Sequence, residues 1–174
     1  MHRRQSLRVL SGIAALIVLS GCTVQPLNGN RSAAYRGDAL YYVEPVNTRV
    51  GQQVRNALIF GLNGGRNPAE APYRIKLLVT SSARDVAVET SRQAPTSARV
   101  RVDTAWTLTR RDGPEQPAAM PEIVASGERT AVAAYDRTVQ RFANKRALQD
   151  AENRAAAEAA ERVRLAVQQA AVAR

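Results

Sequence analysis

The chain has 174 residues, a formal charge of +10, and only one histidine and one cysteine. This length suits a single domain with a modest core. His2 and Cys22 both lie near the N-terminus, so the remainder lacks the side chains that most acid–base catalysts, nucleophiles and zinc sites use. The composition therefore predicts a protein that is not an enzyme and holds no metal or cofactor. It also excludes an internal disulfide.

Residues 1–21 have the pattern of an export signal. Arg3, Arg4 and Arg8 flank an apolar run over residues 9–19 that is too short to span a bilayer. The run ends in Leu19-Ser20-Gly21-Cys22, which looks like a bacterial lipobox, where the cysteine thiol and the new amine are acylated after cleavage. A plain signal peptide with a buried cysteine and an uncleaved anchor helix are the alternatives. We expect a lipoprotein held on a membrane surface through acyl chains on Cys22.

Residues 22–38 are predicted to be the acylated N-terminus and a flexible tether, and residues 39–174 a single domain. Pro26, Gly29 and Gly37 interrupt a polar stretch without periodicity. Without the three arginines of the signal, the charge of +10 falls to +7. An exported protein meets no nucleic acid, so the basic residues suggest phospholipid headgroups, lipopolysaccharide phosphates or an acidic protein. Solvated charges that merely reflect codon usage are the alternative.

The first half of the domain is predicted to form a strand, a helix and a second strand. Leu40 to Val46 is aromatic and β-branched, and residues 49–62 have apolar positions at helical spacing before Asn63-Gly64-Gly65. Residues 72–79 alternate as a strand does. Val86 and Val88 extend this strand if a bulge lies near Ser81-Ser82.

The second half is predicted to form two more strands and a long helix. The strand at 97–110 is the clearest. Its core side is Val100, Val102, Thr104, Trp106 and Leu108, and its other side is Arg99, Arg101, Asp103, Thr107 and Thr109. A turn at 110–114 and a Pro-rich loop to Pro121 precede a strand at 123–135.

The C-terminal segment has a helical stripe made mostly of alanine. The stripe is Phe142, Ala143, Ala147, Leu148, Ala151, Ala155, Ala159, Val163, Ala166, Val167 and Ala170. Asp150/Arg154 and Glu158/Arg162 are i,i+4 ion pairs on the other side. A coiled coil is the alternative, although the stripe lacks large residues at its a and d positions.

This order predicts an α+β fold, a two-layer sandwich with two helices on one face of a four-stranded mixed or antiparallel sheet, in the order β-α-β-β-β-α. Arg74, Lys76, Arg99 and Arg101 would then face away from the helices. If the two strands that carry them pair, the four cations gather on the outer surface as a candidate site for the phosphates of a glycolipid. A solvated face that protects the sheet from aggregation is the alternative.

Three blocks, taken with the lipobox, resemble the LptE family of lipopolysaccharide-assembly lipoproteins. They are LYYVEPVNTRVGQQVRNALIFGL (40–62), SARVRVDTAWTL (97–108) and YDRTVQRFANKRALQDAENRAAAEAAERV (135–163). The resemblance implies an outer-membrane lipoprotein on the periplasmic side that forms a 1:1 plug-and-barrel complex with the LptD β-barrel and helps deliver lipopolysaccharide to the outer leaflet. Thr23, rather than Asp, after the acylated cysteine fits sorting to the outer membrane.

Two other functions stay open at this point. An auxiliary lipoprotein of an ABC-type phospholipid transport system would have an open apolar groove and an inner-membrane partner. A carboxylate-dependent hydrolase of envelope polymers is the remaining alternative. Neither has a recognisable motif in the sequence.

Overall fold

The computed structural model describes residues 40–89, 94–111 and 122–172. Its elements are β1 (Tyr41–Val43), α1 (Arg49–Asn63), β2 (Tyr73–Glu89), β3 (Ala94–Arg110), β4 (Glu122–Asp136) and α2 (Arg141–Val172). This order confirms the predicted α+β fold with two helices and a four-stranded sheet in the described part of the chain. The predicted signal, Cys22, the tether and the Pro-rich loop lie outside the described residues.

The four strands lie side by side in chain order. β1 is parallel to β2, because the chain crosses through α1 between them, whereas β2, β3 and β4 pair antiparallel. β1 pairs with only the first three residues of β2, Tyr73 to Ile75. The long antiparallel strands β2 and β3, at about 3.4 Å per residue, therefore extend far beyond β1.

The inner face of β3 is buried, as its alternation predicts. Val100, Val102, Thr104, Trp106 and Leu108 each have 4% exposure or less. Trp106 lies opposite Gly127 of β4, and a Cβ added at that glycine would lie 3.3 Å from the indole Cζ2 and Nε1. Gly127 thus makes the room in which the large indole fits against the sheet.

The predicted bulge at Ser81-Ser82 is wrong. The β2–β3 register runs unbroken from Tyr73↔Arg110 to Asp85↔Ala98, and its irregularities lie on either side of Ala87. The side-chain alternation therefore continues through Ser81 and Ser82. Val86 lies at the first of these irregularities, without a register partner, and is 49% exposed.

Helix α1 has defined caps at both ends. The Thr48 Oγ1 accepts a hydrogen bond from the Gly51 N–H at 3.1 Å. At the other end Gly64 has a φ of 63°, and its N–H donates to the Phe60 carbonyl at 3.0 Å. The helix thus ends at Asn63, one residue later than the sequence predicts.

Helix α2 packs through its small residues. Ala151, Ala155, Ala159 and Val163 are fully buried, and Gly61 of α1 lies against the Arg164 side chain. The predicted ion pairs are present, Asp150–Arg154 at 2.9 Å and Glu158–Arg162 at 2.5 Å. The alanine stripe therefore brings α2 close to the sheet and to α1.

Phe142 was wrongly assigned to this buried stripe. It is 88% exposed. At about 100° per residue, the nine steps from Phe142 to Ala151 leave the two side chains half a circle apart, so they lie on opposite faces of the helix.

Neither helix of the described chain is long and apolar enough to cross a membrane.

Candidate functional site

The four predicted site residues all lie on the face of the sheet that points away from the helices. Arg74 and Lys76 are on β2, and Arg99 and Arg101 are on β3. The antiparallel register places Arg74 opposite Thr109 and Lys76 opposite Thr107, while Arg99 and Arg101 are opposite Arg84 and Ser82. Lys76 and Ser82 are six residues apart, or about 20 Å along the strand. The four cations therefore form two groups rather than the single cluster that we expected.

The first group is Arg74 with Lys76. The Arg74 guanidinium lies 4.8 Å from the centre of the Tyr42 ring and 3.6 Å from a Glu44 oxygen, so part of its charge is already compensated. Lys76 is exposed and makes no side-chain hydrogen bond or ion pair with the described residues. In this group Lys76 is the cation that is free to bind an external anion.

Arg101, in the second group, is held within the sheet surface. Its Nε lies 2.8 and 2.9 Å from the two Asp103 carboxylate oxygens, and its Nη2 donates to the Thr130 hydroxyl at 3.3 Å. The Thr130 hydroxyl donates to Asp103 at 2.5 Å. The hydrogen bond from Arg101, followed by that from Thr130, lowers the pKa of Asp103 below its usual value. Arg101 thus has less unpaired charge to offer a ligand.

Arg84 and Arg99 face each other directly across β2 and β3. Directly opposed residues of an antiparallel pair have Cβ atoms roughly 5 Å apart, and like charges at that spacing repel. Both side chains are exposed, and neither has an acidic partner among the described residues. A bound anion would relieve this repulsion and accept hydrogen bonds from both guanidinium groups.

Sequence reasoning missed Arg84. It has the same parity along β2 as Arg74 and Lys76, so unbroken alternation would have placed it on the outer face. The bulge that was expected at Ser81-Ser82 hid this relation, since it would have turned Arg84 toward the other side.

Apolar side chains share the outer face with these cations. Leu78 is 69% exposed and lies one outward position from Lys76, and Val132 of β4 is 48% exposed opposite Arg101. Cationic and apolar side chains thus alternate over the same strands. This mixture fits an amphipathic anion better than a fully hydrophilic one.

A second exposed cluster lies at the start of α2. Val139 and Phe142 are 89% and 88% exposed, and Arg141 and Lys145 beside them are also exposed. Asn144 holds this connection in place, since its side chain accepts from the Thr138 N–H at 2.7 Å and donates to the Thr138 carbonyl at 2.6 Å. We call Val139, Arg141, Phe142 and Lys145 the α2 tip.

Two further features bear on metal binding and on lipid binding. They contain no group of three or more His, Cys, Asp or Glu side chains placed to hold a metal ion. A shallow groove between β4 and α2 is lined partly by charged residues, namely Asp136, Asp150 and Arg154, together with Ala134, Tyr135 and Ala147. It is therefore not the apolar groove that a phospholipid carrier would need.

Comparison with known proteins identifies the family. The model of the LptE family, described as lipopolysaccharide-assembly, matches residues 38–167. The chain belongs to the LptE family. This LptE-family chain is therefore a lipopolysaccharide-assembly lipoprotein of the bacterial envelope, in a family that is not enzymatic. No curated protein matches the chain.

Solved structures share its fold. A lipoprotein from Caulobacter crescentus has a TM-score of 0.59 and 24% identity, covering 80% of this chain and 96% of its own. The rare lipoprotein B from Shewanella oneidensis has a TM-score of 0.55 and 11% identity, covering 76% of this chain and 94% of its own. At these identities the likeness establishes the arrangement of helices and sheet.

Proposed function

We propose that this LptE-family chain is an outer-membrane lipoprotein that partners the LptD β-barrel, contacts lipopolysaccharide directly and helps deliver it to the outer leaflet. The observation that carries the proposal is the family match over residues 38–167. The domain boundaries from the sequence belong to the same proposal: a signal over 1–21, an acylated tether over 22–38 and one domain over 39–174.

Attachment to the membrane is assigned to Cys22. The residue follows a signal with basic and apolar regions, and a protein with several acyl chains is stably anchored. The Cys22→Ala substitution should prevent palmitate incorporation and leave unprocessed precursor or soluble periplasmic protein. A Ser20→Ala variant, which keeps the thiol, serves as the control. Palmitate labelling of Cys22→Ala at the wild-type level would contradict the assignment.

Lipopolysaccharide contact is assigned to the outer face with Arg74, Lys76, Arg99 and Arg101, joined by Arg84. Among them Lys76, Arg84 and Arg99 have no ionic partner in the described chain, so they can bind phosphate without first breaking an internal pair. Guanidinium groups bind phosphate in a bidentate manner, and Leu78 supplies apolar surface next to them. The binding should weaken as salt rises, since exposed charges are screened beyond about 10 Å at 0.1 M.

Free and paired arginines of the second group provide a matched test of this contact. Arg99→Gln should weaken binding of purified lipopolysaccharide more than Arg101→Gln, because Asp103 already neutralises Arg101. Equal binding by wild type and both variants would make the charges a solvated surface.

Partnership with the barrel is tested by co-purification. A tagged, full-length chain produced together with LptD should retain the barrel in a 1:1 ratio after detergent extraction. A tagged lipoprotein of another family, produced at the same level, is the control. If the barrel is retained no better than by this control, the proposed partnership is contradicted.

A further inference from the structure

The edges of the sheet differ in how their backbone groups are satisfied. At the edge formed by β1, the side chain of Asn63 donates to the Tyr41 carbonyl at 2.6 Å and accepts from its N–H at 3.4 Å. Asn67 does the same for Val43, donating to the carbonyl at 3.1 Å and accepting from the N–H at 2.8 Å. The short outer edge of β1 therefore has no backbone left to pair with another strand.

Arginines cover part of the opposite edge, formed by β4. Even-numbered residues of β4 point their backbone groups away from β3, as the register requires. The Thr130 carbonyl accepts from the Arg162 guanidinium, and the Ala134 carbonyl accepts from Arg154 Nη2 at 2.9 Å. The Glu128 carbonyl accepts from Arg129 Nη1 at 2.8 Å. Three outward carbonyls of this edge are thus capped by side chains.

β2 beyond β1 has no such cover. The Arg111 N–H donates to the Pro72 carbonyl, which fixes even-numbered residues of β2 as those that bond to β3. The odd-numbered residues after Ile75 therefore point their N–H and C=O groups outward. Within the described residues, these groups of Leu77, Val79, Ser81 and Ala83 have no hydrogen-bond partner. We call residues 77–83 the open edge.

The charges around the open edge favour one kind of binding segment. No residue from Leu77 to Ala83 is charged, and cations stand at both ends, Lys76 and Arg84. Two copies that paired antiparallel about Ser81 would place Arg84 of one diagonal to Lys76 of the other, a repulsive neighbourhood. An extended segment with acidic residues at its ends would instead be attracted at both ends of the edge.

We propose that the open edge of β2 binds an extended, uncharged segment of the barrel partner that is flanked by acidic residues, adding a strand to the sheet. This inference rests on the proposed partnership with the barrel. The segment would run alongside residues 77–83, and its backbone would satisfy the outward groups of Leu77, Val79, Ser81 and Ala83. The capped β1 edge and the partly capped β4 edge would take no part in the contact.

A proline substitution at each edge tests the proposal with the full-length chain and the co-produced barrel. Ser81→Pro removes an outward N–H from the open edge without removing a bond to β3. Ser126→Pro makes the same change at the β4 edge, since Ser126 also points outward, opposite Thr107. Ser81→Pro should retain about tenfold less barrel than wild type, and Ser126→Pro should retain the wild-type amount.

The outcomes separate this inference from the partnership on which it rests. A wild-type chain that does not retain the barrel contradicts the partnership and the inference together. Retention by Ser81→Pro equal to that by wild type overturns the inference alone, as does a greater loss with Ser126→Pro.

Amide hydrogen exchange on the wild-type chain gives a second readout that does not depend on folding of a variant. Without the barrel, the amides of Leu77, Val79 and Ser81 should exchange faster than those of Leu78 and Thr80, and the barrel should protect them. If these amides are already protected in the isolated chain, then a second copy or the chain's own tether fills the edge, and the inference is overturned.

Discussion

The two faces of the sheet follow the same alternation but differ in what holds their side chains. On the inner face, Val102 and Leu108 of β3 are fully buried against the helices. On the outer face Arg99 is exposed, and Arg101 is fixed by Asp103 and Thr130. Packing in the core fixes the side chains of the inner face. The side chains of the outer face are fixed only where the strand register places a binding partner beside them.

This difference explains why the inner face carries stability, whereas the outer face is free to change without unfolding the chain. A buried side chain has many neighbours that cannot move independently, so its removal leaves a cavity. An exposed cation such as Arg99 can be exchanged at small cost to folding, and it remains available to a ligand. The following predictions compare the two faces, from the largest expected effect to the smallest.

Trp106→Ala should show the largest effect. The indole is 4% exposed and packs against Gly127, so its loss should lower the free energy of unfolding by about 3–5 kcal/mol. Leu78→Ala, on the outer face with 69% exposure, should change stability by less than about 0.5 kcal/mol. Urea unfolding of both variants measures the difference. Equal stability of Trp106→Ala and wild type would reverse the assignment of the faces.

Replacing a buried alanine of the α2 stripe by a larger residue should have a smaller effect on stability. Ala155 is fully buried, so Ala155→Leu should destabilise the fold by about 1–3 kcal/mol through overpacking. Ala157, two residues away on the exposed side of α2, provides the same substitution without crowding. Thermal unfolding that shifts equally in Ala155→Leu and Ala157→Leu would show that close approach of α2 to the sheet is not required.

Asp103→Asn tests the Arg101–Asp103 ion pair on the outer face, through the pH dependence of stability. The pKa of Asp103 is lowered in the folded chain by the hydrogen bonds from Arg101 and Thr130, so the unfolded chain binds more protons in that range. The stability that the carboxylate contributes is present above its ordinary pKa of 3.8 and is lost as pH falls through the lower native value. Because the pair is exposed, the effect should be small.

The measurement is the difference in unfolding free energy between wild type and Asp103→Asn from pH 7 to the acid limit. The difference should shrink below about pH 3.8, the ordinary value of the carboxyl. A difference that stays constant, or that grows on acidification, would show that Asp103 is not held as an ion in the folded chain.

The sequence predicted the inner face well, because period-two burial leaves a strong pattern. Val100, Val102, Trp106 and Leu108 alternate without a break, and Thr104 follows them into the core. The C-terminal end of α1 was predicted to within one residue, since Gly64 is a good capping residue. The assignment of Phe142 to the buried stripe was wrong, because alanines on several sides of a helix mark its buried face only weakly.

The candidate site was predicted less completely. Alternation along each strand correctly predicted the face of the sheet for Arg74, Lys76, Arg99 and Arg101. It does not predict which residues of β2 and β3 lie opposite each other. The register depends on where β2 turns into β3, and it separated the cations into two groups and added Arg84. The hydrogen-bonded group of Arg101 and Asp103 also includes Thr130 of β4, which the register places opposite Asp103.

The central claim is that the outer face binds lipopolysaccharide. The most direct test measures the binding of purified lipopolysaccharide to two charge-reversal variants. Lys76→Glu combined with Arg99→Glu changes the outer face, and Arg141→Glu combined with Lys145→Glu makes the same charge change at the α2 tip. The outer-face variant should bind at least about tenfold more weakly, while the tip variant should bind as wild type does. Undiminished binding by the outer-face variant, with loss in the tip variant, would contradict the claim.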